Sequence, residues 1–355
     1  MIRVVQLFTY MGRGGLETML MNYYRHMNRD KVQFDFLVHR DFEADYDQEI
    51  LSMGGKLFHV SRLIPWSRGY REKLKSFFHA HPEYKIVHVH QDCLSSVALE
   101  CAKECGVLVR IAHSHNSNQD KNIKYIMKQH YRKKIPQFAT ELFACGKDAG
   151  DWMFTGHRYK ILYNAINTSV YTYSFEKAVT IREKLHVEQN LVIGHVGRFD
   201  AQKNHTFLLD IFSECVNIVP NARLLLVGDG EGRTQIQEKA KSLGLEEKVI
   251  FTGVRNDVAD LLQAMDVFVF PSLYEGVPVT MIEAQASGLP CVISDGVPKD
   301  CVITSGLVTS MKLSDRPCDW AKHIAAQLNR KRENHLEEIQ AAGYDIVTAA
   351  KELEN

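Results

Sequence analysis

No stretch of this 355-residue chain approaches the roughly 18 consecutive apolar residues that a membrane-spanning helix needs, so a membrane-embedded protein is excluded. No two of its eight cysteines (93, 101, 105, 145, 215, 291, 301 and 318) form a C-x-x-C pair. The opening MIRVVQLF lacks the charged lead and long apolar core of a secretory signal, which predicts a cytosolic chain with reduced thiols. There is no short internal repeat and no low-complexity tract. With 9 prolines, 22 glycines, 45% hydrophobic and 24% charged residues, the composition is that of a folded protein and excludes collagen-like or disordered classes. Net charge is also missing, since 43 Lys+Arg balance 43 Asp+Glu. A neutral chain without a recognised basic module is a poor nucleic-acid binder, so no nucleic-acid partner is expected.

The balance hides an asymmetry. Residues 1–170 hold 24 Lys+Arg against 17 Asp+Glu, whereas residues 171–355 hold 19 against 26. The two halves therefore face different partners. The length suits two domains, each able to bury its own core. Short runs rich in Val, Ile, Leu and Phe recur between helical stretches at Val4–Phe8, Phe34–Val38, Ile86–His90, Val107–Ala112 and Leu142–Ala144, then at Val192–Val196, Arg223–Val227, Val249–Thr252, Val267–Phe270 and Cys291–Ser294. Nearly continuous apolar runs of this length mark strands covered on both faces, hence an α/β protein with two doubly wound, Rossmann-like parallel sheets. The series restarts after the irregular stretch Tyr163–Phe175, which places the junction near residues 164–175. Such sheets bind ligands beyond the carboxyl ends of their strands, so the expected site lies between the halves.

Two Gly-rich loops follow strands. Gly12-Arg13-Gly14-Gly15-Leu16-Glu17 and Gly228-Asp229-Gly230-Glu231-Gly232-Arg233 each begin as a dinucleotide fingerprint and fail at the third glycine, where Glu17 and Arg233 stand. NAD and FAD are therefore not expected, and because neither loop is followed by Lys-Ser or Lys-Thr in phosphate-loop spacing, a Walker-type NTPase is excluded. The segment Phe270–Ala284 carries Glu275 in a loop and Glu283 inside a helix that Pro278 is expected to open and Gly288 and Pro290 to close. Paired carboxylates accept hydrogen bonds from vicinal hydroxyls, as on a sugar and a ribose. The loop His195–Asn204 sets Arg198 and Lys203 beside a helix start, where two cations can neutralise a diphosphate.

Gly-Arg with a following Lys-Asn, then Val-Gly-Asp-Gly, then Phe-Pro-Ser-x-x-Glu-Gly with a second Glu eight positions after the first, resembles the nucleotide-sugar half of glycosyltransferase family 4. The likeness extends to Gly14–Glu17, and the run Arg110–Asn116 is similar to the exopolysaccharide and capsule branch of that family. The resemblance implies a GT-B fold, a retaining transfer from a nucleotide-diphosphate sugar, with UDP favoured, and neither cofactor nor metal. It implies that Arg198 and Lys203 hold the donor diphosphate, Glu283 the ribose hydroxyls and Glu275, with Gly276 and Val277, the transferred sugar. Gly14 and Gly15 would offer amides to the distal phosphate, His113 would touch the sugar and its scissile bond, and Gly253, Val254 and Arg255 would border the base; His115 is a neighbour without an assigned role. Residues 1–165 would bind the acceptor, residues 166–335 the donor, and 336–355 would form a helical segment packing back toward the first domain. A nucleotide-sugar 2-epimerase and a non-catalytic nucleotide-sugar sensor are the alternatives.

The basic excess of the first half concentrates at Lys121, Lys124, Lys128 and Arg132, continued by Lys133 and Lys134, interleaved with Ile123, Tyr125, Ile126, Met127 and Tyr131. A basic amphipathic helix of this kind sits on anionic membrane surfaces. Trp66, Tyr70, Phe77 and Phe78, set among Arg68, Arg71, Lys73 and Lys75, are expected to add to it. Peripheral contact at the inner face of a membrane and a glycan or lipid-diphosphate-linked acceptor follow as expectations.

Overall fold

The structure is a computed structural model and describes residues 1–119, 124–304, 306–327 and 330–354. The chain divides into two compact units, Met1–Ala165 together with Ile346–Asn355, and Ile166–Asp345.

The first unit is built on β1 (Ile2–Phe8), β2 (Val32–Val38), β3 (Leu57–His59), β4 (Ile86–Val89), β5 (Val109–Ser114), β6 (Glu141–Ala144) and β7 (Lys160–Ile161). All neighbours pair in parallel, in the order β3-β2-β1-β4-β5-β6-β7. The second unit carries β8 (Leu191–Val196), β9 (Ala222–Val227), β10 (Val249–Phe251), β11 (Val267–Phe270), β12 (Cys291–Ser294) and β13 (Val308–Met311). Its parallel order is β10-β9-β8-β11-β12-β13. In each sheet the chain winds one way from its first strand and then returns to wind the other, so the order reverses between β1 and β4 and between β8 and β11. At such a reversal the loops leaving the two neighbouring strands diverge and open a crevice at their carboxyl ends.

The expected doubly wound α/β architecture is thus present. Every residue of β2, β8, β11 and β12 is buried, as strands covered by helices on both faces must be. Three strands have no counterpart in the sequence reading. β3 and β7 are only three and two residues long, and β13, Val-Thr-Ser-Met, carries too many polar residues to stand out as an apolar run.

One local expectation is corrected. Pro278 is not the first helical residue: it caps the helix Val279–Ala286 with an extended ψ of 124°, and its carbonyl accepts from the Met281 amide at 3.0 Å. The C-terminal stretch forms two helices, Leu336–Ala341 and Ile346–Leu353, parted where Gly343 takes φ +87°. The second of these packs on the helix Gly15–His26 of its own unit, and Glu354 Oε1 accepts from the Asn28 amide at 2.5 Å.

In the second unit the residues after 330 strap the sheet's edge helices. Arg332, half-buried and without a carboxylate partner among the described residues, donates to the carbonyls of Leu262 (2.8 Å) and Met265, satisfying the end of the helix Val258–Ala264. Its guanidinium also lies over the Tyr173 ring. Gly288, just past the helix Val279–Ala286, takes φ +62°, and a Cβ there would lie 2.2 Å from the Glu333 carbonyl oxygen. A side chain is therefore opposed twice, by the left-handed backbone and by the strap. Gly288→Ala is expected to cost about 2–3 kcal/mol and to lower the melting temperature of a unit this size by roughly 5–10 °C, read by calorimetry.

Candidate functional site

At the reversal of the second sheet, the loop 197–204 leaves β8 and the loop 271–278 leaves β11. They are stitched together side by side. The Leu273 amide donates to the Gln202 carbonyl (2.8 Å), Gln202 Nε2 to the Tyr274 carbonyl (2.9 Å) and Asn204 Nδ2 to the Pro271 carbonyl (3.2 Å). Asn204 also caps the helix His205–Ile218 with φ +54°, a left-handed position that asparagine tolerates. The last stitch is ionic. Lys203 Nζ donates to Glu275 Oε1 at 2.6 Å, with only 16% and 6% of the two side chains exposed, and lies 4.6 Å from the centre of the Phe270 ring.

Two of the residues expected at the donor diphosphate and sugar are therefore joined to each other. Arg198 differs: it is exposed, and among the described residues no ion pair or hydrogen bond engages its guanidinium. Gly276 and Val277 are buried in the same loop, whose Glu275 amide donates to the Gly296 carbonyl at 3.1 Å.

Glu283 lies inside the helix Val279–Ala286 and accepts a hydrogen bond from Tyr171 Oη at 2.7 Å. Burial raises its carboxyl to about 7, an effect the Tyr171 bond partly offsets. Tyr171 ends the short helix Thr168–Tyr171 and was not anticipated as a site residue; it sits in the irregular junction, where no motif points to it.

Gly253, at φ +72°, exchanges a backbone bond with Gly228, and exposed Val254 follows it. Arg255 is held bidentately by Asp257 at 2.8 and 2.6 Å. The glycines of the second Gly-rich loop serve packing: a Cβ on Gly228 would fall 2.1 Å from the Gly197 carbonyl oxygen, and one on Gly230 2.7 Å from that of Phe199. That loop lies directly on the Arg198 loop and braces it, with bonds from the Phe199 amide to Asp229 and from Gly232 to Phe199.

In the first unit Gly14 caps the helix Gly15–His26 without a side-chain acceptor, and nothing lies within 4 Å of where a Gly15 Cβ would be. The helix start thus presents amides to open space. His113, on β5, is buried among other imidazoles. His88 and His90 alternate out of β4, His113 and His115 out of β5, and the period of two sends all four to one sheet face. His88 Nε2 lies 3.2 Å from His113 Nδ1, His90 Nδ1 lies 2.9 Å from His115 Nε2, and His90 Nε2 lies 2.9 Å from Gln6 Oε1. His113 Nε2 is buried without a partner. Burial holds all four rings neutral, His88 and His115 at about 3 and the other two well below the ordinary value. His88, His90 and Gln6 were not singled out from sequence, although the paired His-x-His spacings are visible there.

The basic helix is shorter than expected, Tyr125–Arg132, and Lys121 lies outside the described residues. The helix buries none of its residues, and Ile126 is 81% exposed. Arg132 is a correction: its guanidinium turns back to donate to the Trp152 carbonyl and stacks on that ring, so it is not part of an outward basic face. Likewise Tyr70 and Phe78 are core residues, because the helix Arg68–Ala80 packs that side inward, leaving Trp66 exposed.

A family model described as Glycosyltransferase Family 4 matches residues 13–170, and one described as Glycosyl transferases group 1 matches residues 190–330. The chain is 38% identical to Bacillus subtilis EpsF, named as a glycosyltransferase, over 97% of this chain and 93% of that one. It is 25% identical to the Staphylococcus aureus capsular polysaccharide biosynthesis glycosyltransferase CapH, over 99% and 98%. An Escherichia coli UDP-Gal:alpha-D-GlcNAc-diphosphoundecaprenol alpha-1,3-galactosyltransferase is 26% identical over 62% of this chain and 60% of its own. Among solved structures, Anabaena HepE in complex with UDP-glucose superposes with a TM-score of 0.82 at 20% identity, covering 99% and 98%, a likeness of fold.

The raised Glu283 carboxyl makes a signed prediction. Between its unfolded value near 4.5 and about 7, the folded chain keeps a proton that the unfolded chain has lost, so stability falls as pH rises through that window. Glu283→Gln, which still accepts from Tyr171, is expected to stabilise the second unit by on the order of 3 kcal/mol at about pH 8 and by almost nothing near pH 4.5. Denaturant unfolding at the two pH values checks this, and equal gains at both would refute the assignment.

Proposed function

The chain belongs to glycosyltransferase family 4 and is a GT-B glycosyltransferase of polysaccharide biosynthesis, and from that premise we propose that it transfers a sugar, with retention, from a UDP-sugar to a lipid-diphosphate-linked glycan in bacterial surface polysaccharide synthesis. The observation that carries the donor half is the stitched pair of loops at the reversal of the second sheet, which carries largely buried Lys203 and Glu275 and exposed Arg198. Arg198 and Lys203 neutralise the diphosphate, Glu275 takes the sugar hydroxyls, and Glu283 takes the ribose with the oxygen that Tyr171 leaves open. Val254 and Arg255 border the base. From the first unit come His113, at the transferred sugar, and the amides of Gly14 and Gly15.

The sugar C1–O bond breaks with its electron pair passing to the diphosphate, so positive charge grows on the ring and negative charge on the departing oxygen. A cation already fixed in a partly desolvated setting, as Lys203 is, stabilises that oxygen without reorganising. The acceptor hydroxyl attacks C1 on the face the diphosphate leaves, and its proton passes to the departing phosphate oxygen. UDP is supported by the donor in the name of the Escherichia coli relative and by the UDP-glucose in the Anabaena structure. The acceptor class is supported by the diphosphoundecaprenol in the same relative's name and by the exposed basic helix. No helix among the described residues is long and apolar enough to cross a membrane, so contact with a lipid-linked acceptor would be peripheral.

Arg198 gives the cleaner test, because no partner is stranded by its removal. Arg198→Ala is expected to weaken UDP binding by about 1.5–3 kcal/mol, roughly 10- to 150-fold, while leaving uridine binding and melting temperature unchanged. Calorimetry showing unchanged UDP affinity would take Arg198 out of the site. Separately, Lys124→Glu, Lys128→Glu and Lys133→Glu together, sparing the inward Arg132, should release the protein from anionic vesicles, at about 1 kcal/mol per cation. Transfer to a lipid-linked acceptor should fall while UDP affinity holds. Persistent vesicle binding and transfer in the folded triple variant would make the helix an ordinary solvated face.

A further inference from the structure

The four imidazoles on the first sheet exceed what the transfer reaction uses, since only His113 is assigned to the sugar. We propose that His88, His90 and His113 form a binding site for one divalent transition-metal ion of the zinc class. Their ligating nitrogens all lie within 4.8 Å of one another. A tetrahedral ion about 2.0–2.1 Å from each ligand sets two nitrogens roughly 3.3–3.4 Å apart, and His88 Nε2 and His113 Nδ1 already stand at 3.2 Å. The third ligand is oriented from outside. Gln6 Oε1 accepts from His90 Nε2, the outer-shell bond that fixes a metal-binding tautomer and leaves Nδ1 as the free lone pair. His115 Nε2, 2.9 Å from that Nδ1 and on a half-exposed residue, supplies a fourth nitrogen and a path of entry.

Hydrogen bonds alone account for the cluster only in part. They tie His88 to His113 and His90 to His115 as separate couples, which does not explain why the two couples converge. An ion uses the convergence. It needs no net proton loss: the one proton shared between His88 and His113 moves to an outer ring nitrogen, and both inner lone pairs turn to the metal. An all-nitrogen set without carboxylate excludes magnesium and calcium and suits zinc, cobalt or nickel. The site is built only from residues of the first unit and its loading is read without donor, so its failure and that of the UDP reading are separable.

The test uses full-length, tag-free protein stripped with chelator and titrated with cobalt(II). One equivalent should bind with the visible absorption of a tetrahedral nitrogen site and be displaced by zinc. His88→Asn and His90→Asn should each abolish saturable uptake, and Gln6→Leu should weaken it about 10- to 100-fold, with folding followed by circular dichroism. Absence of saturable uptake by the wild type overturns the proposal, as does uptake unchanged in the two His variants. Should those variants unfold, X-ray absorption of the loaded wild type decides: an imidazole-only shell supports the site, and sulfur in the shell refutes it by assigning the ion to the thiols.

Discussion

The ion pair between Lys203 and Glu275 is the constraint on which the second unit's site depends. Two loops that leave neighbouring strands at a reversal of strand order diverge by topology, and here they are drawn back together by three polar stitches and one charged one. Each charge is largely buried and would be costly alone. Together, over the face of Phe270, they hold a cation and a carboxylate in fixed positions before any ligand arrives. The Gly228–Gly232 loop braces the arrangement from behind, which is why its glycines look like a phosphate cradle in sequence and act as packing in the fold.

The polar chemistry of the two units is of opposite kind. The second unit presents charge, fixed in Lys203 and Glu275 and exposed in Arg198, with Glu283 balanced close to its own titration by burial. The first unit presents neutral nitrogen, four imidazoles kept uncharged by burial, and a helix start that offers amides. Charge suits a leaving diphosphate. Neutral rings suit orientation of a sugar or coordination of a soft ion, where a second positive charge would be a hindrance.

Surface chemistry follows from which faces the helices bury. The helix Tyr125–Arg132 buries nothing and leaves Ile126 outward, whereas the helix Arg68–Ala80 spends its Tyr70 and Phe78 on the core. Arg132 shows how a single residue escapes a helical pattern: the Trp152 ring and the Trp152 carbonyl draw its guanidinium away from solvent.

From sequence alone, the two doubly wound sheets and the family were legible, because buried parallel strands require continuous apolar runs and because Arg198, Lys203, Glu275 and Glu283 stand at the family's distances along the chain. Only the tertiary structure decided which of them touch. Lys203 and Glu275 are 72 residues apart, and Tyr171 reaches Glu283 across 112. His88 and His113 meet only because β4 and β5 are neighbours. A strand's own residues specify that it will be a strand and which face each side chain takes, since that follows from the period of two. Which strand lies beside it is settled by the packing of the whole sheet, and every contact between partners distant in sequence is inherited from that choice.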